Sequence, residues 1–138
     1  MEIRLGENYL TFTLNEKVSI SSPEFVLILR NESTKAQYGC KLGADISLYT
    51  DRYNLFLVTV ISSPTALNAE LGLEHHGQHR YYVYEMEDAD TFDFAGVNTL
   101  DLMTMTGEVE QGKVSYLKIN PDLPHYINRQ AAIISNDD

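Results

Sequence analysis

The sequence predicts an all-β fold, an Ig-like antiparallel β-sandwich of about seven or eight strands with an irregular C-terminal tail. Three observations lead to this prediction. Short runs of alternating apolar and polar residues recur along the chain, turn-forming residues separate them, and no long window has the apolar spacing of an amphipathic helix. The length of 138 residues suits a single domain of this kind.

Two runs, residues 9–14 and 36–42, alternate as half-buried strands do. The alternation directs Gln37, Gly39 and Lys41 away from the core. Both runs are therefore predicted to be outer strands of a sheet. Six side chains in them are expected to point inward: Leu10, Phe12, Leu14, Tyr38, Cys40 and Leu42.

Two further runs, residues 25–29 and 55–61, are apolar on both faces. Their β-branched and aromatic residues predict strands that must be covered on both sides, by the domain or by a partner. Another strand is predicted at residues 81–85, and a late pair of strands at 99–106 and 114–119. Turn signals separate these strands at residues 21–23, 31–33, 62–64, 77–78 and 111–112.

The chain is acidic, with 10 Lys and Arg against 20 Asp and Glu and a formal net charge of -10. Because no basic cluster is present to bind phosphates, we expect neither nucleic acid nor an acidic membrane surface as a partner. The single cysteine, Cys40, excludes a disulfide within the chain and a cysteine-based zinc site. The first residues lack a basic segment followed by an apolar stretch, so we expect synthesis in the cytosol without an export signal.

The last residues differ in composition from the rest of the chain. Two prolines interrupt regular structure there, yet Ile127, Ile133 and Ile134 make the segment apolar. The sequence therefore divides into a β-sandwich domain, residues 1–119, and a C-terminal tail or docking arm, residues 120–138.

Three histidines lie close together, at His75, His76 and His79. On a helix, His75 and His79 would share one face, as metal ligands can. Gly77 and the strand that follows argue against a helix. We therefore expect a solvated turn without a metal.

Residues 85–93 carry five carboxylates and no basic residue. They lack the glycine and the terminal glutamate of an EF-hand loop, so a solvated acidic loop is the simpler interpretation. A weak divalent-ion site at a subunit interface is the alternative. The chain also lacks a nucleophile elbow and glycine-rich phosphate-binding motifs, so we expect a protein that is not an enzyme and has no cofactor.

Nine tyrosines and no tryptophan fit a sandwich whose outer faces bind a partner. Tyr82 and Tyr84 share one face of a predicted strand, with Arg80 beside them. Three interpretations stay open for this face: a sugar platform with the loop 75–79, a protein interface, or ordinary cross-strand aromatic packing. The first of these would make the protein a carbohydrate-binding module.

Three short motifs follow one another in an order known from one family. They are DRYNLF at residues 51–56, YYVYE at 81–85 and EQGKV at 110–114. Over about residues 24 to 119, the chain resembles small β-sandwich structural proteins of tailed bacteriophages that infect Bacteroidetes, including crAss-like phages. Residues 88–98 are longer and more acidic than the family pattern, and the chain beyond Asn120 has no counterpart in it.

The resemblance implies a virion component, an auxiliary or decoration protein that binds and stabilises the capsid shell. The major capsid protein or other virion proteins would be its partners, and a homo-oligomer within the virion is a further option. A neck or tail component is the nearest alternative. An acidic domain suits the basic edges of a capsid protein, because complementary charge steers docking.

Two sets of residues receive expected roles. Asp51, Arg52 and Tyr53 form a structural corner, in which Arg52 pairs with a carboxylate or caps backbone carbonyls and Tyr53 packs across the turn. We hypothesise that the contact with the capsid uses six apolar residues: Leu55, Leu57, Ile61, Ile127, Ile133 and Ile134.

Overall fold

The computed structural model describes residues 1–49 and 52–117. These residues form strands in two packed sheets and no long helix, which confirms the prediction of an all-β sandwich. The strands are β1 (Glu2–Ile3), β2 (Gly6–Phe12), β3 (Glu24–Asn31), β4 (Gln37–Lys41), β5 (Asn54–Val60), β6 (Glu70–Leu71), β7 (Gly77–Met86) and β8 (Glu108–Tyr116).

Five strands form the larger sheet in the order β1-β8-β7-β3-β4, and three form the smaller sheet in the order β2-β5-β6. Neighbouring strands are antiparallel, except that β1 with β8 and β5 with β6 are parallel. Because β2 and β5 pair in one sheet while β3, β7 and β8 lie in the other, the strand order is that of an Ig-like sandwich. As predicted, β2 and β4 are edge strands.

The main core lies between the two sheets and follows the predicted alternation. Leu10, Phe12 and Leu14 are all buried. The ring centroid of Phe12 lies 5.4 Å from that of Tyr81 and 6.0 Å from that of Phe56. The contact of Phe12 with Tyr81 joins the two sheets, and burial of each such side chain contributes about 1.5–3 kcal/mol.

Strand β3 is buried on both faces, as predicted. Leu27 and Leu29 face the main core, whereas Val26 and Ile28 face a second apolar cluster on the other side of the larger sheet. Residues 88–105 cover that side. They contain three short 3-10 turns, Ala89–Thr91, Val97–Thr99 and Leu102–Thr104.

The prediction of a strand at residues 99–106 is wrong, because aspartates fold this part of the chain into turns. The Asp88 carboxylate accepts a hydrogen bond from the Asp90 N–H at 3.0 Å, and the Asp101 carboxylate accepts one from the Met103 N–H at 3.0 Å. Aspartates that bond the backbone two residues ahead favour turns over strands.

Strand β8 begins earlier than predicted and pairs with β7. The expected turn at residues 111–112 is wrong, because both residues lie inside β8. A Cβ atom on Gly112 would lie 2.7 Å from the ring of Tyr81. The glycine therefore allows close packing within the sheet rather than a turn.

The turn expected at residues 77–78 is also wrong, because these residues open β7. Gly77 has φ of +111°, a conformation that glycine adopts without strain, so the turn-forming residue makes the bend into the strand. Residues 118–119, the end of the predicted last strand, lie outside the described residues, as does the tail 120–138.

Gln37 lies away from the main core, as predicted, but it is buried. Its side-chain amide donates to the carbonyl oxygens of Val97 at 2.7 Å and Leu100 at 2.9 Å, and its backbone N–H donates to Asn98 Oδ1 at 2.9 Å. These bonds fasten the covering segment 88–105 to β4. Within the described ranges, no helix is long and apolar enough to cross a membrane.

Candidate functional site

The outward face of the smaller sheet is the candidate site, and we call it the outer face. Val58 and its even-numbered neighbours on β5 are buried in the core, so the odd-numbered Leu55 and Leu57 point outward and are half-buried. The register places Leu57 opposite Tyr9 and Leu55 opposite Thr11 on β2. An aromatic ring and two leucines thus lie together on a sheet face that no described residue covers.

Exposure of these residues sets the outer face apart from the covered side of the larger sheet. The Tyr9 side chain is 62% exposed, and Ile61, directly after β5, is 40% exposed. Ile61 has the same strand parity as Leu55 and Leu57, and its N–H donates to the Leu71 carbonyl at 2.9 Å. Contiguous exposed apolar residues of this kind mark interaction sites.

A loop adds apolar residues beside Leu55. The Ile46 N–H donates to the Leu55 carbonyl at 2.9 Å, which brings this part of the loop alongside β5. Ile46 is 48% exposed, and Leu48 and Tyr49 further along the loop are 86% and 59% exposed. The loop therefore extends the apolar surface available to a partner.

Asp45 fixes the position of this loop. Its carboxylate accepts hydrogen bonds from the N–H groups of Ser47 at 2.9 Å and Leu55 at 3.0 Å and from Asn54 Nδ2 at 2.8 Å. Burial alone would raise the pKa of Asp45, but these hydrogen bonds outweigh burial and lower the pKa. Asn54 in turn accepts a bond from the Leu14 N–H at 2.8 Å, which ties the corner to β2.

Sequence reasoning missed the corner formed by Asp45 and Asn54 and predicted a corner only at residues 51–53. Asp51 lies outside the described residues. The Arg52 guanidinium carbon lies 6.0 Å from the ring centroid of Tyr49, and within residues 1–49 and 52–117 it has no carboxylate partner. Tyr53 is half-buried, and its N–H donates to the Tyr49 carbonyl at 3.2 Å. The signal that could have found the corner at Asp45 is the Asp-x-Ser pattern at residues 45–47.

The histidine segment is only partly the solvated turn that we predicted. His75 and His76 are exposed, and the ring of His76 stacks on Tyr116 with centroids 4.4 Å apart. His79 is fully buried inside β7, so the prediction is wrong for this residue. Its Nδ1 lies 3.0 Å from the Gly77 carbonyl oxygen, and burial lowers its pKa.

The acidic segment is also partly buried. The Glu85 carboxylate, expected in a solvated loop, accepts bonds from the Ser19 N–H at 2.9 Å, the Ser19 hydroxyl at 2.7 Å and the Ile20 N–H at 3.0 Å. Burial pushes the pKa of Glu85 upward, but the bonds from Ser19 and Ile20 outweigh it, so the pKa is lowered. Glu85 thus anchors the loop between β2 and β3.

Three other carboxylates, those of Glu24, Asp88 and Asp90, approach one another closely enough to hold a cation. The Lys41 ammonium already lies among them, 2.9 Å from Asp90 and 3.7 Å from Glu24. The hydrogen bond to Asp90 raises the pKa of Lys41. These charged groups therefore link β3, β4 and the covering segment by ion pairs.

The tyrosine face expected as a sugar platform is covered. Tyr84 is buried at 1% exposure, and its ring stacks on that of half-buried Tyr82 with centroids 6.4 Å apart. His79, from the loop 75–79 that was expected to complete the platform, is buried as well. Ordinary aromatic packing is therefore the interpretation that the structure bears out for this pair.

Of the six apolar residues predicted to contact a partner, the structure brings Leu55, Leu57 and Ile61 to the outer face. The other three, Ile127, Ile133 and Ile134, lie outside the described residues. No protein-family model, no curated protein and no solved structure matches the chain.

Proposed function

We propose that the protein is a non-enzymatic structural component of a bacteriophage virion that binds and stabilises the capsid shell through its outer face. The observation that carries the proposal is the pair Leu55 and Leu57 beside the exposed ring of Tyr9. On the larger sheet, the segment 88–105 covers the corresponding apolar face. The smaller sheet has no such cover among the described residues, so a partner protein would supply it.

The charge of the chain supports a partner whose contact surface is bordered by basic residues. The chain has a formal net charge of -10, whereas the centre of the outer face consists of uncharged residues. Glu7 and Glu70 lie at its margin, since Glu7 pairs with Thr59 and Thr59 pairs with Glu70. A capsid protein with an apolar patch surrounded by Lys and Arg fits this pattern, because complementary charge steers docking and suppresses wrong partners.

The shifted carboxyl groups support a structural role. Asp45 and Glu85 have lowered pKa values, and in each the carboxylate is occupied by hydrogen bonds from nearby loop residues. A catalytic acid or base needs a pKa near the working pH and access to substrate. These two groups instead keep loops in place.

The test is incorporation of the protein into phage particles. Leu57→Asp places a charge in the centre of the outer face, and Met103→Asp adds the same charge at a side chain that is 94% exposed on the covering segment. We expect Leu57→Asp to lose incorporation while Met103→Asp retains it. Cryo-electron microscopy of wild-type particles should then show the outer face against the shell.

Melting temperatures of both purified variants must first match the wild type, so that loss of incorporation reports binding and not folding. Equal incorporation of Leu57→Asp and wild type would refute the outer face as the contact. Density confined to the neck or tail would move the role to connection of head and tail. Absence of the chain from purified particles would refute the virion proposal altogether.

A further inference from the structure

Strand β2 presents a free backbone edge. The N–H groups of Thr59 and Ile61 donate to carbonyls of the β6 region, so the odd-numbered residues of β5 point their backbone groups toward β6 and the even-numbered ones toward β2. In the register of the β2–β5 pair, the even-numbered residues of β5 lie opposite those of β2. The backbone N–H and C=O groups of Glu7, Tyr9 and Thr11 therefore point away from β5, toward the open side of the sheet.

This edge has no partner within the part of the chain that the structure describes. Hydrogen bonds to the backbones of Glu7, Tyr9 and Thr11 are absent there, and all three residues are exposed. The strand contains no proline, no lysine and no break in register, three of the devices that blunt an edge, and Glu7 is its one charged residue. An open edge of this length is a template for pairing with another strand.

We propose that β2 pairs with β2 of a second copy of the chain, antiparallel, about a two-fold axis at Tyr9. A two-fold axis perpendicular to the sheet makes the same strand self-complementary, which is the commonest geometry of homodimers. The two smaller sheets then join into one continuous sheet. This inference stands on the β2 edge and is independent of the proposed function.

Charge favours this register over one with the axis at Glu7. With the axis at Tyr9, Glu7 of one copy lies opposite Thr11 of the other, so no like charges face each other. An axis at Glu7 would place two carboxylates directly opposite, which destabilises a strand pair. An axis at Thr11 would bring Thr13 into the pair, but its N–H already donates to Glu110 Oε1 at 3.2 Å.

The dimer also explains why apolar residues border the edge. Tyr9 and Leu57 of both copies would lie side by side across the joint, so the two outer faces would become one apolar surface crossing the dimer. Cross-strand pairs of aromatic residues add to the stability of a sheet. The second copy is therefore a partner that fits both the backbone and the side chains of β2.

The experiment uses the full chain and the variant Tyr9→Pro. Proline removes the outward N–H, and the bonds between β2 and β5 stay intact because Tyr9 makes none of them. In sedimentation equilibrium we expect the wild type to have twice the chain mass of 15.6 kDa and Tyr9→Pro to have the single mass. Amides of Tyr9 and Thr11 in the wild type should exchange more slowly with deuterium as the protein concentration rises.

Tyr9→Thr is the matched control, because it removes the ring but keeps the N–H and a strand-forming side chain. We expect it to remain dimeric. A wild type that is monomeric up to about 1 mM overturns the proposal. A dimeric Tyr9→Pro also overturns the proposal, because the contact would then lie elsewhere on the chain. If Tyr9→Thr is as monomeric as Tyr9→Pro, the proposal is overturned too, because the ring and not the backbone would make the contact.

Discussion

His79 and Asn31 lie opposite each other across the β3–β7 pair, both buried, with His79 Nε2 3.4 Å from Asn31 Nδ2. Asn31 Oδ1 accepts hydrogen bonds from the N–H groups of Ser33 and Thr34, each at 2.9 Å, so the side-chain nitrogen Nδ2 must face the ring. His79 Nε2 is then the acceptor and Nδ1 the donor to Gly77. This arrangement suits the neutral imidazole alone.

Acid should therefore destabilise the protein through His79. Its pKa is lowered in the folded state from 6.5, chiefly by burial, so the unfolded chain binds the proton more readily. The contribution to stability is complete above the unfolded pKa and is lost as the pH falls below it. Urea unfolding between pH 8 and pH 5 should show a declining free energy of unfolding in the wild type.

The decline should be smaller in His79→Gln, which cannot take up the proton. His76→Gln serves as the control, since His76 is exposed and is not among the groups that shift the pKa of His79. A slope that is the same in wild type and His79→Gln would show that other groups cause the acid sensitivity.

Removal of the Glu85 carboxylate should release the loop between β2 and β3. Because hydrogen bonds to a charged group contribute about 1.5–3 kcal/mol, we expect Glu85→Ala to lower the free energy of unfolding by at least that amount. Urea denaturation at pH 7 measures it, with exposed Glu87→Ala expected to stay within about 0.5 kcal/mol of wild type. Since the folded pKa of Glu85 is lowered from 4.5, the difference between Glu85→Ala and wild type should shrink as the pH falls below that value.

Gly112→Ala should destabilise the larger sheet, because the added Cβ atom would lie 2.7 Å from the Tyr81 ring. That ring is held in place by its hydroxyl, which donates to Glu110 Oε2 at 2.7 Å. Overpacking of this kind costs about 1–3 kcal/mol. Thermal denaturation should show a lower melting temperature for Gly112→Ala and no loss for Gly43→Ala, where nothing lies within 4 Å.

The Cys40 thiol should be inert in the folded protein. It is fully buried, and burial raises its pKa to about 12. Because the thiolate is the reactive form, a thiol reagent such as Ellman's reagent should label the protein only after denaturation. Labelling of the native protein at the rate seen in urea would contradict this prediction.

Deletion of residues 121–138 should abolish incorporation into particles and leave the sandwich folded. The last described residue, Leu117, donates its N–H to the Ile3 carbonyl at 2.9 Å, and all eight described strands precede the deleted segment. A circular dichroism spectrum and melting temperature equal to wild type would establish folding. Incorporation at the wild-type level would remove the tail from the proposed contact.

Local sequence patterns predicted most of the strands of this fold. They could not predict contacts between residues that are distant in sequence. Alternation correctly predicted that Leu10 lies in the core, because strand periodicity depends only on neighbouring residues. The pairing of Glu85 with Ser19 joins positions 66 residues apart, and His79 is buried because β3 supplies Asn31. No short stretch of sequence contains both members of either pair. The polarity of Glu85 and His79 alone therefore indicated exposed loops.

The parallel pairing of β1 with β8 sets the order in which the domain can be completed. Glu2 pairs with Ser115, so β1 cannot pair until the ribosome has synthesised β8, more than a hundred residues later. Until β8 emerges, β7 also lacks one neighbour, whereas β2 with β5 and β3 with β4 can already form. Closing contacts of such long sequence separation slows folding, and β7 keeps an unpaired edge until synthesis has passed Tyr116.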